Sequence, residues 1–166
     1  MSGIINQVGA RSGIISGGSS TSAGTRTLAG ITGLDYEEGT WTPDYRNDAD
    51  ATGVTYVTSE NKAYYTKVGR QINIYGRVAL TNCGSASGSP RVYGLPFTCS
   101  SDDFSIYPVV LYYSLITHSG SVQSYIYKGE AHFTVAEVND SGSRTDLSNS
   151  DVDNNTFFGF SGSYQI

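Results

Sequence analysis

QINIYGRVAL, residues 71–80, decides the fold class of this 166-residue chain. Its apolar side chains recur at every second position, and Gly76 falls in the same row as the isoleucines, the valine and the leucine. A period of two predicts a β-strand with one face in a core. A glycine within that row indicates a bulge or a close neighbour.

The preceding residues complete a hairpin with this strand. AYYTKV (63–68) predicts a shorter strand, and Gly69-Arg70 predicts the turn between the two. Further strands are predicted over 91–98, 109–117, 122–128, 130–138 and 156–164. The chain is rich in tyrosine and glycine and shows no helical period, as is typical of strands and turns. The sequence therefore predicts an all-β fold, a single antiparallel β-sandwich or jelly-roll-like body of about seven to nine strands.

Two prolines and one polar segment refine this prediction. Pro96 confines strand 91–98 to an edge or an end of the sheet, because proline cannot donate a hydrogen bond to a neighbour. Pro108 is expected to break the apolar stretch 104–117 and to leave 109–117 as a central strand covered on both faces. Residues 139–155 predict a long exposed loop, a kind of segment that often carries function.

The first 33 residues differ from the rest in composition. SGII occurs at 2–5 and again at 12–15, within a chain of Gly, Ser, Thr, Asn and Gln that cannot close a core. We interpret residues 1–33 as an extended docking arm that orders on another subunit or a larger assembly, ahead of a β body at 34–166. Its predicted contacts are Ile4, Ile5, Arg11, Ile14 and Ile15. A plain disordered tail is the alternative.

The charge balance disfavours two classes of partner. With 15 acidic and 10 basic residues the net charge is −5. An acidic chain does not suit binding to a nucleic-acid backbone or to an anionic membrane surface. No apolar run approaches a membrane span, and the N-terminus lacks the pattern of a secretory signal.

The sequence predicts no catalytic residue, no metal ligand and no cofactor. His118 and His132 are expected at the surface, and no Gly-x-Ser-x-Gly motif is present. Asp44, Asp48 and Asp50, or Asp151 and Asp153, could bind calcium in a loop, but neither set follows the calcium-loop pattern, so calcium is the less favoured alternative. Cys83 and Cys99 are expected to be free, partly buried thiols rather than a disulfide.

Three short motifs carry a family resemblance. EGTWTP (38–43), YTKVG (65–69) and GLPF (94–97) occur in the order and at about the spacing seen in a group of small virion proteins of tailed bacteriophages, which this chain resembles. The opening GIINQVGARSGII is also similar to the N-terminus of many phage structural proteins. The resemblance covers roughly the first 100 residues.

The resemblance implies a trimeric protein on the surface of the phage particle, made in the cytoplasm of the bacterial host. Its N-terminal segment is expected to attach to other virion proteins, such as tail, portal-proximal or major capsid proteins, while the β-rich part faces outward. From the residues and the charge balance we expect neither an enzyme nor a nucleic-acid partner.

Within the shared motifs, Tyr36, Trp41 and Pro43 are predicted to form the junction between arm and body. Pro43 fixes the backbone just after the only tryptophan of the chain. A lone tryptophan beside a rigid turn is expected to seal one end of a core. A ring that stacks on a ligand is the less favoured alternative.

Two tyrosine pairs are candidates for contacts. On a strand, one ring of each pair points inward and the other outward. Outward rings fit a subunit interface or stacking on a host surface glycan, and the interface is favoured. The residues concerned are Tyr64, Tyr65, Tyr112 and Tyr113.

Two functional hypotheses follow. In the first, the protein is a short fibre or knob for host attachment, docked by its arm. In the second, it is a capsid cement or decoration protein whose isoleucine pairs clamp neighbouring shell subunits.

Overall fold

The computed structural model describes residues 35–166, so the predicted arm and its boundary at residue 33 lie outside the described residues. In chain order the strands are β1 (Tyr36–Trp41), β2 (Asp44–Asn47), β3 (Val54–Tyr56), β4 (Lys62–Val68), β5 (Gln71–Cys83), β6 (Pro90–Tyr93), β7 (Tyr107–Tyr113), β8 (Ser121–Ile126), β9 (His132–Val138), β10 (Arg144–Asp146) and β11 (Phe157–Gln165). Short 3-10 turns occur at Thr58–Glu60 and Asn149–Asp151. Within 35–166, no helix has the length and apolar character needed to span a bilayer.

The strands form one antiparallel sheet that curls on itself. Its order is β1-β4-β5-β11-β7-β8-β9-β6-β2, with β10 beside β9 and β3 beside β5. The two outermost strands, β1 and β2, are joined by only Thr42 and Pro43. The sheet must therefore bend until its edges approach each other. The predicted all-β antiparallel class is confirmed, although the described residues hold 11 strands rather than seven to nine.

The inner face of this sheet is a single apolar core. Alternate residues of the long strands supply it, as the period of two requires. Burying each large side chain contributes about 1.5–3 kcal/mol. The largest fully buried apolar or aromatic side chains are Tyr45, Tyr164, Phe133, Phe158, Ile72, Ile74, Leu80 and Ile126.

The predicted hairpin is present. Strand β4 pairs with β5 from Lys62↔Arg77 to Val68↔Gln71, and Gly69 at φ +59° makes the turn. Gly76 pairs with Ala63 without a shift in register, so it does not mark a bulge. A Cβ built on Gly76 would lie 2.3 Å from the Cβ of Ala63. The glycine therefore reflects a close neighbour.

Strand β7 corrects one prediction. It runs through Pro108 instead of starting after it, and Val110 and Tyr112 are 70% and 75% exposed, so the strand is not covered on both faces. Pairing with β11 begins only at Val109↔Gly162. The missing N–H of Pro108 therefore costs no hydrogen bond to that strand.

Two other predicted segments are shorter or more ordered than expected. Strand β6 ends at Tyr93 because Gly94 turns the chain with a φ of +87°. The predicted loop 139–155 contains β10 and a 3-10 turn, and it buries Leu147 and Val152. It is therefore largely part of the body.

The strand directions define two ends of the body. At the proximal end, the amide of Gly69 donates to the Asp35 carbonyl, and the amide of Ile166 donates to the Arg70 carbonyl. Residue 35, where the described part of the chain begins, therefore lies at this end. The distal end consists of segments 82–89, 114–120 and 139–155, which lie where β5, β7 and β9 finish and β8 and β11 begin.

Candidate functional site

The first two resemblance motifs meet through Tyr65. Its ring covers Gly39 in the facing strand, where an added Cβ would lie 2.7 Å from a ring carbon. Its hydroxyl donates to Glu37 Oε1 at 2.5 Å, and this hydrogen bond to a carboxylate raises the pKa of Tyr65 to about 12. Tyr65 also meets the third motif, because its ring packs edge-on against Phe97 at 5.5 Å.

Trp41 packs into the same region. Its ring lies 5.6 Å from that of Phe160, and an added Cβ on Gly94 would be 3.7 Å from it. Pro43 is buried. Contacts with the core and with backbone favour a seal over a ligand-stacking platform. The indole Nε1 is buried without a hydrogen-bond partner.

The chain is anchored where it enters the body. Lys67 is buried, forms an ion pair with Asp35 and lies 5.8 Å from the ring of Phe97. The Tyr36 hydroxyl donates to Glu38 at 2.8 Å. The three motifs thus form one cluster that fixes the start of the body. Tyr36, Trp41 and Pro43 lie in or just after strand β1, and their function as an arm–body junction stays a prediction.

The tyrosine pairs alternate across their strands. Tyr65 and Tyr113 pack against the core, whereas Tyr112 is exposed and Tyr64 stacks on exposed Tyr75 at 5.1 Å. The outward rings share one face of the sheet, since Tyr64 pairs with Tyr75 in β5 and Tyr112 pairs with Gly159 in β11. Their use as an interface or glycan contact stays a prediction.

The two histidines differ. His132 is only 7% exposed, which corrects its expected surface position. Its ring stacks on Tyr93 at 4.5 Å and lies 3.2 Å from Glu130. Burial lowers the pKa of His132. His118 is exposed at the distal end, as expected.

The acidic residues near Asp44 form ion pairs or hydrogen bonds with nearby groups. Asp44 pairs with Arg46 at 2.6 Å and Asp48 with Arg91 at 2.9 Å, while Asp50 accepts hydrogen bonds within its own turn. Across residues 35–166, no group of three or more His, Cys, Asp or Glu side chains is placed to hold a metal ion. Cys83 and Cys99 are free and buried.

The distal end carries two adjacent cavities. The first, here called the His118 pocket, has a volume of about 260 Å³ and is lined by Thr117, His118, Ser119, Glu137, Leu147 and Asp151. The second is a more open, polar cavity of about 470 Å³ between segments 82–85 and 152–154. Chain segment 151–154 separates the two. The residues that line both cavities lie at the end opposite to residue 35.

Hydrogen bonds fix the walls of the His118 pocket. His118 Nδ1 lies 2.7 Å from the Gly120 carbonyl, which can only accept, so Nδ1 carries a proton. His118 Nε2 forms a second hydrogen bond, with the Tyr113 hydroxyl at 3.2 Å. The backbone amide of Ser119 donates to Glu137 Oε2 at 2.8 Å.

The second carboxylate of the pocket is held by its own turn. Asp151 Oδ2 accepts hydrogen bonds from the amide and the hydroxyl of Ser148, both at 2.8 Å. The lining therefore presents two carboxylates and no lysine or arginine. Sequence reasoning did not place Glu137 and Asp151 in one site, because the pocket combines residues from three separate segments and no local spacing marks it.

The comparisons with known proteins bear on the fold. Neither a protein-family model nor a curated protein matches the chain. Among solved structures, the chain is similar to the Dettilon tailspike protein (gp208), with a TM-score of 0.63 and 16% sequence identity. The alignment covers 78% of this chain and 24% of that chain. The chain thus shares its curled β fold with part of a much longer tailspike.

Proposed function

We propose that this chain is a non-enzymatic structural protein of a tailed phage particle. It docks to other virion proteins through residues 1–33 and displays its body outward as a trimeric short fibre or knob for host attachment.

The observation that carries this proposal is the fold. A protein named as a tailspike contains a segment that superimposes on 78% of this chain. At 16% identity the likeness concerns the backbone alone. It supports a virion function together with the three motifs, which form one packed cluster at the junction.

The positions of the two ends of the body support a function in host attachment. The Lys67–Asp35 pair and the Gly69–Asp35 hydrogen bond hold the entry point at the proximal end. The two cavities lie at the opposite end. A protein docked by its N-terminus therefore presents these cavities outward.

The outer sheet face supports self-association. Tyr75, Val110 and Tyr112 are 56%, 70% and 75% exposed. Exposed aromatic and apolar side chains on one face are typical of protein interfaces. The trimer itself is an implication of the family resemblance.

The expectation that the protein is not an enzyme comes from its sequence and is part of the proposal. In the described part of the chain, His118 is hydrogen-bonded to Tyr113 and Gly120 rather than to a serine. Ser119 donates to Glu137, so no serine is paired with a histidine base there.

Adsorption competition tests the proposal. Purified full-length chain is mixed with cells of the phage's own host before infection, and free phage is counted over time. An attachment protein occupies receptors, so the adsorption rate falls as its concentration rises, while heat-denatured chain has no effect. Unchanged adsorption at saturating folded chain, with antibody label spread over the whole shell, would instead identify a capsid cement protein.

A further inference from the structure

The His118 pocket has the chemistry of a site for an uncharged sugar. We propose that it binds a single neutral hexopyranose unit of a surface glycan. This inference rests on the proposed function, because it names the ligand class of the outward-facing end.

The acceptors come from the two carboxylates. An ionised carboxylate offers about four lone-pair sites, and Glu137 uses only part of them on Ser119. Both hydrogen bonds from Ser148 to Asp151 are accepted by Oδ2, and neither involves Oδ1. Sugar hydroxyl groups are donors that match these sites, and hydrogen bonds to charged acceptors are stronger than those between neutral groups.

The pocket also offers apolar surface and rigidity. Buried Leu147 forms part of the wall, and the His118 ring is held by Tyr113 on one side and by the Gly120 carbonyl on the other. A hexopyranose has a C–H face that needs such a surface beside its hydroxyl donors. Walls that are fixed before binding reduce the entropy lost on binding.

The same lining argues against charged alternatives. Two carboxylates without a lysine or arginine repel uronic acids, sialic acids and phosphates. A metal ion is disfavoured because both ring nitrogens of His118 already have partners. The pocket therefore selects neutral sugars over acidic ones.

The test uses the full-length, ¹⁵N-labelled chain and NMR titration with four probes. These are the methyl α-glycosides of glucose, galactose and mannose, and sodium glucuronate. We expect at least one neutral glycoside to shift the amide signals of Ser119 and Gly120 with a Kd in the millimolar range, up to about 50 mM. Glucuronate should bind at least about tenfold more weakly.

Matched variants locate the site. Glu137→Gln keeps the shape and the acceptor for Ser119 but removes the charge, and should weaken binding by about fivefold or more. Glu60→Gln, a carboxylate paired with Arg77 outside the pocket, should leave binding unchanged. Unchanged amide spectra elsewhere would show that Glu137→Gln is folded.

Three results would overturn the inference. These are the absence of pocket shifts with all three neutral glycosides, glucuronate binding as tight as theirs, or full binding by Glu137→Gln. Such a failure leaves the attachment proposal in place if the chain still competes for adsorption. Loss of competition together with retained sugar binding would overturn the attachment proposal instead.

Discussion

Replacing Gly76 by alanine tests a very close contact between two paired strands, β4 and β5. The new Cβ would lie 2.3 Å from Ala63 Cβ, 2.6 Å from Ala63 Cα and 2.8 Å from the Lys62 carbonyl oxygen. The last two atoms belong to the backbone, so strand β4 itself has to move. A side-chain rotation cannot relieve these contacts.

The expected loss follows from two opposing effects. Overpacking a well-filled site costs about 1–3 kcal/mol, and the upper end applies because backbone must shift beside buried Ile74 and Val78. The lower chain entropy of alanine in the unfolded state offsets about 0.5–1 kcal/mol. Gly76→Ala should therefore lower the free energy of unfolding by about 2 kcal/mol.

The chain offers a matched control in another strand. An added Cβ on Gly159 meets nothing closer than 3.6 Å, so Gly159→Ala should be neutral or stabilising by up to about 1 kcal/mol. Both variants are measured by urea unfolding with Trp41 fluorescence, as a change in midpoint at a constant slope.

A second substitution separates side-chain from backbone effects. Ala63→Gly combined with Gly76→Ala removes the 2.3 Å contact but leaves the contact with the Lys62 carbonyl, so it should recover only part of the loss. A Gly76→Ala protein as stable as the wild type would refute the reasoning. Full recovery in the double variant would show that the backbone is not the obstacle.

Three further predictions concern the junction, the buried histidine and the thiols. Tyr65→Phe removes the hydrogen bond to Glu37, and the urea midpoint should fall by the equivalent of about 1 kcal/mol. Burial lowers the pKa of His132 below its unfolded value of about 6.5, so the unfolded state binds more protons and stability falls as the pH drops below that value. The loss of Tm between pH 7 and 5 should therefore be smaller in His132→Gln, and an identical loss would contradict the assignment. Cys83 and Cys99 should both react with iodoacetamide in urea without reductant, whereas a disulfide would leave both unlabelled.

The parts of the fold that were predictable depend on local patterns. The hairpin 63–80 was predictable because alternation, the Gly-Arg turn and the row containing Gly76 all lie within one stretch. The free thiols were also predicted correctly.

The errors came from features set by distant segments. Strand β7 is apolar, but one of its faces is open because nothing among residues 35–166 covers Val110 and Tyr112. His132 lies in a strand buried on both faces, which a single strand's pattern does not reveal. Segment 139–155 is polar in sequence, but Leu147 and Val152 within it pack into the core.

The resemblance motifs have a physical explanation that spacing did not supply. Position 39 requires a glycine because the ring of Tyr65 lies across it. Position 94 is a glycine that turns the chain beside Trp41. No sequence motif marks the two distal cavities. Glu137, His118 and Asp151 come together only when β7, β9 and the segment before β11 finish at the same end.

The most direct test of the central claim is the orientation of the body on the intact particle. Two gold-labelled antibodies are compared, one against the exposed distal segment 139–145 and one against the proximal segment 100–104. If the chain docks through its N-terminal end, the distal antibody labels the tail or single vertices of intact particles, and the proximal antibody does not label until the particles are disrupted. Labelling by the proximal antibody alone, or equal labelling by both, would contradict docking through the N-terminal end.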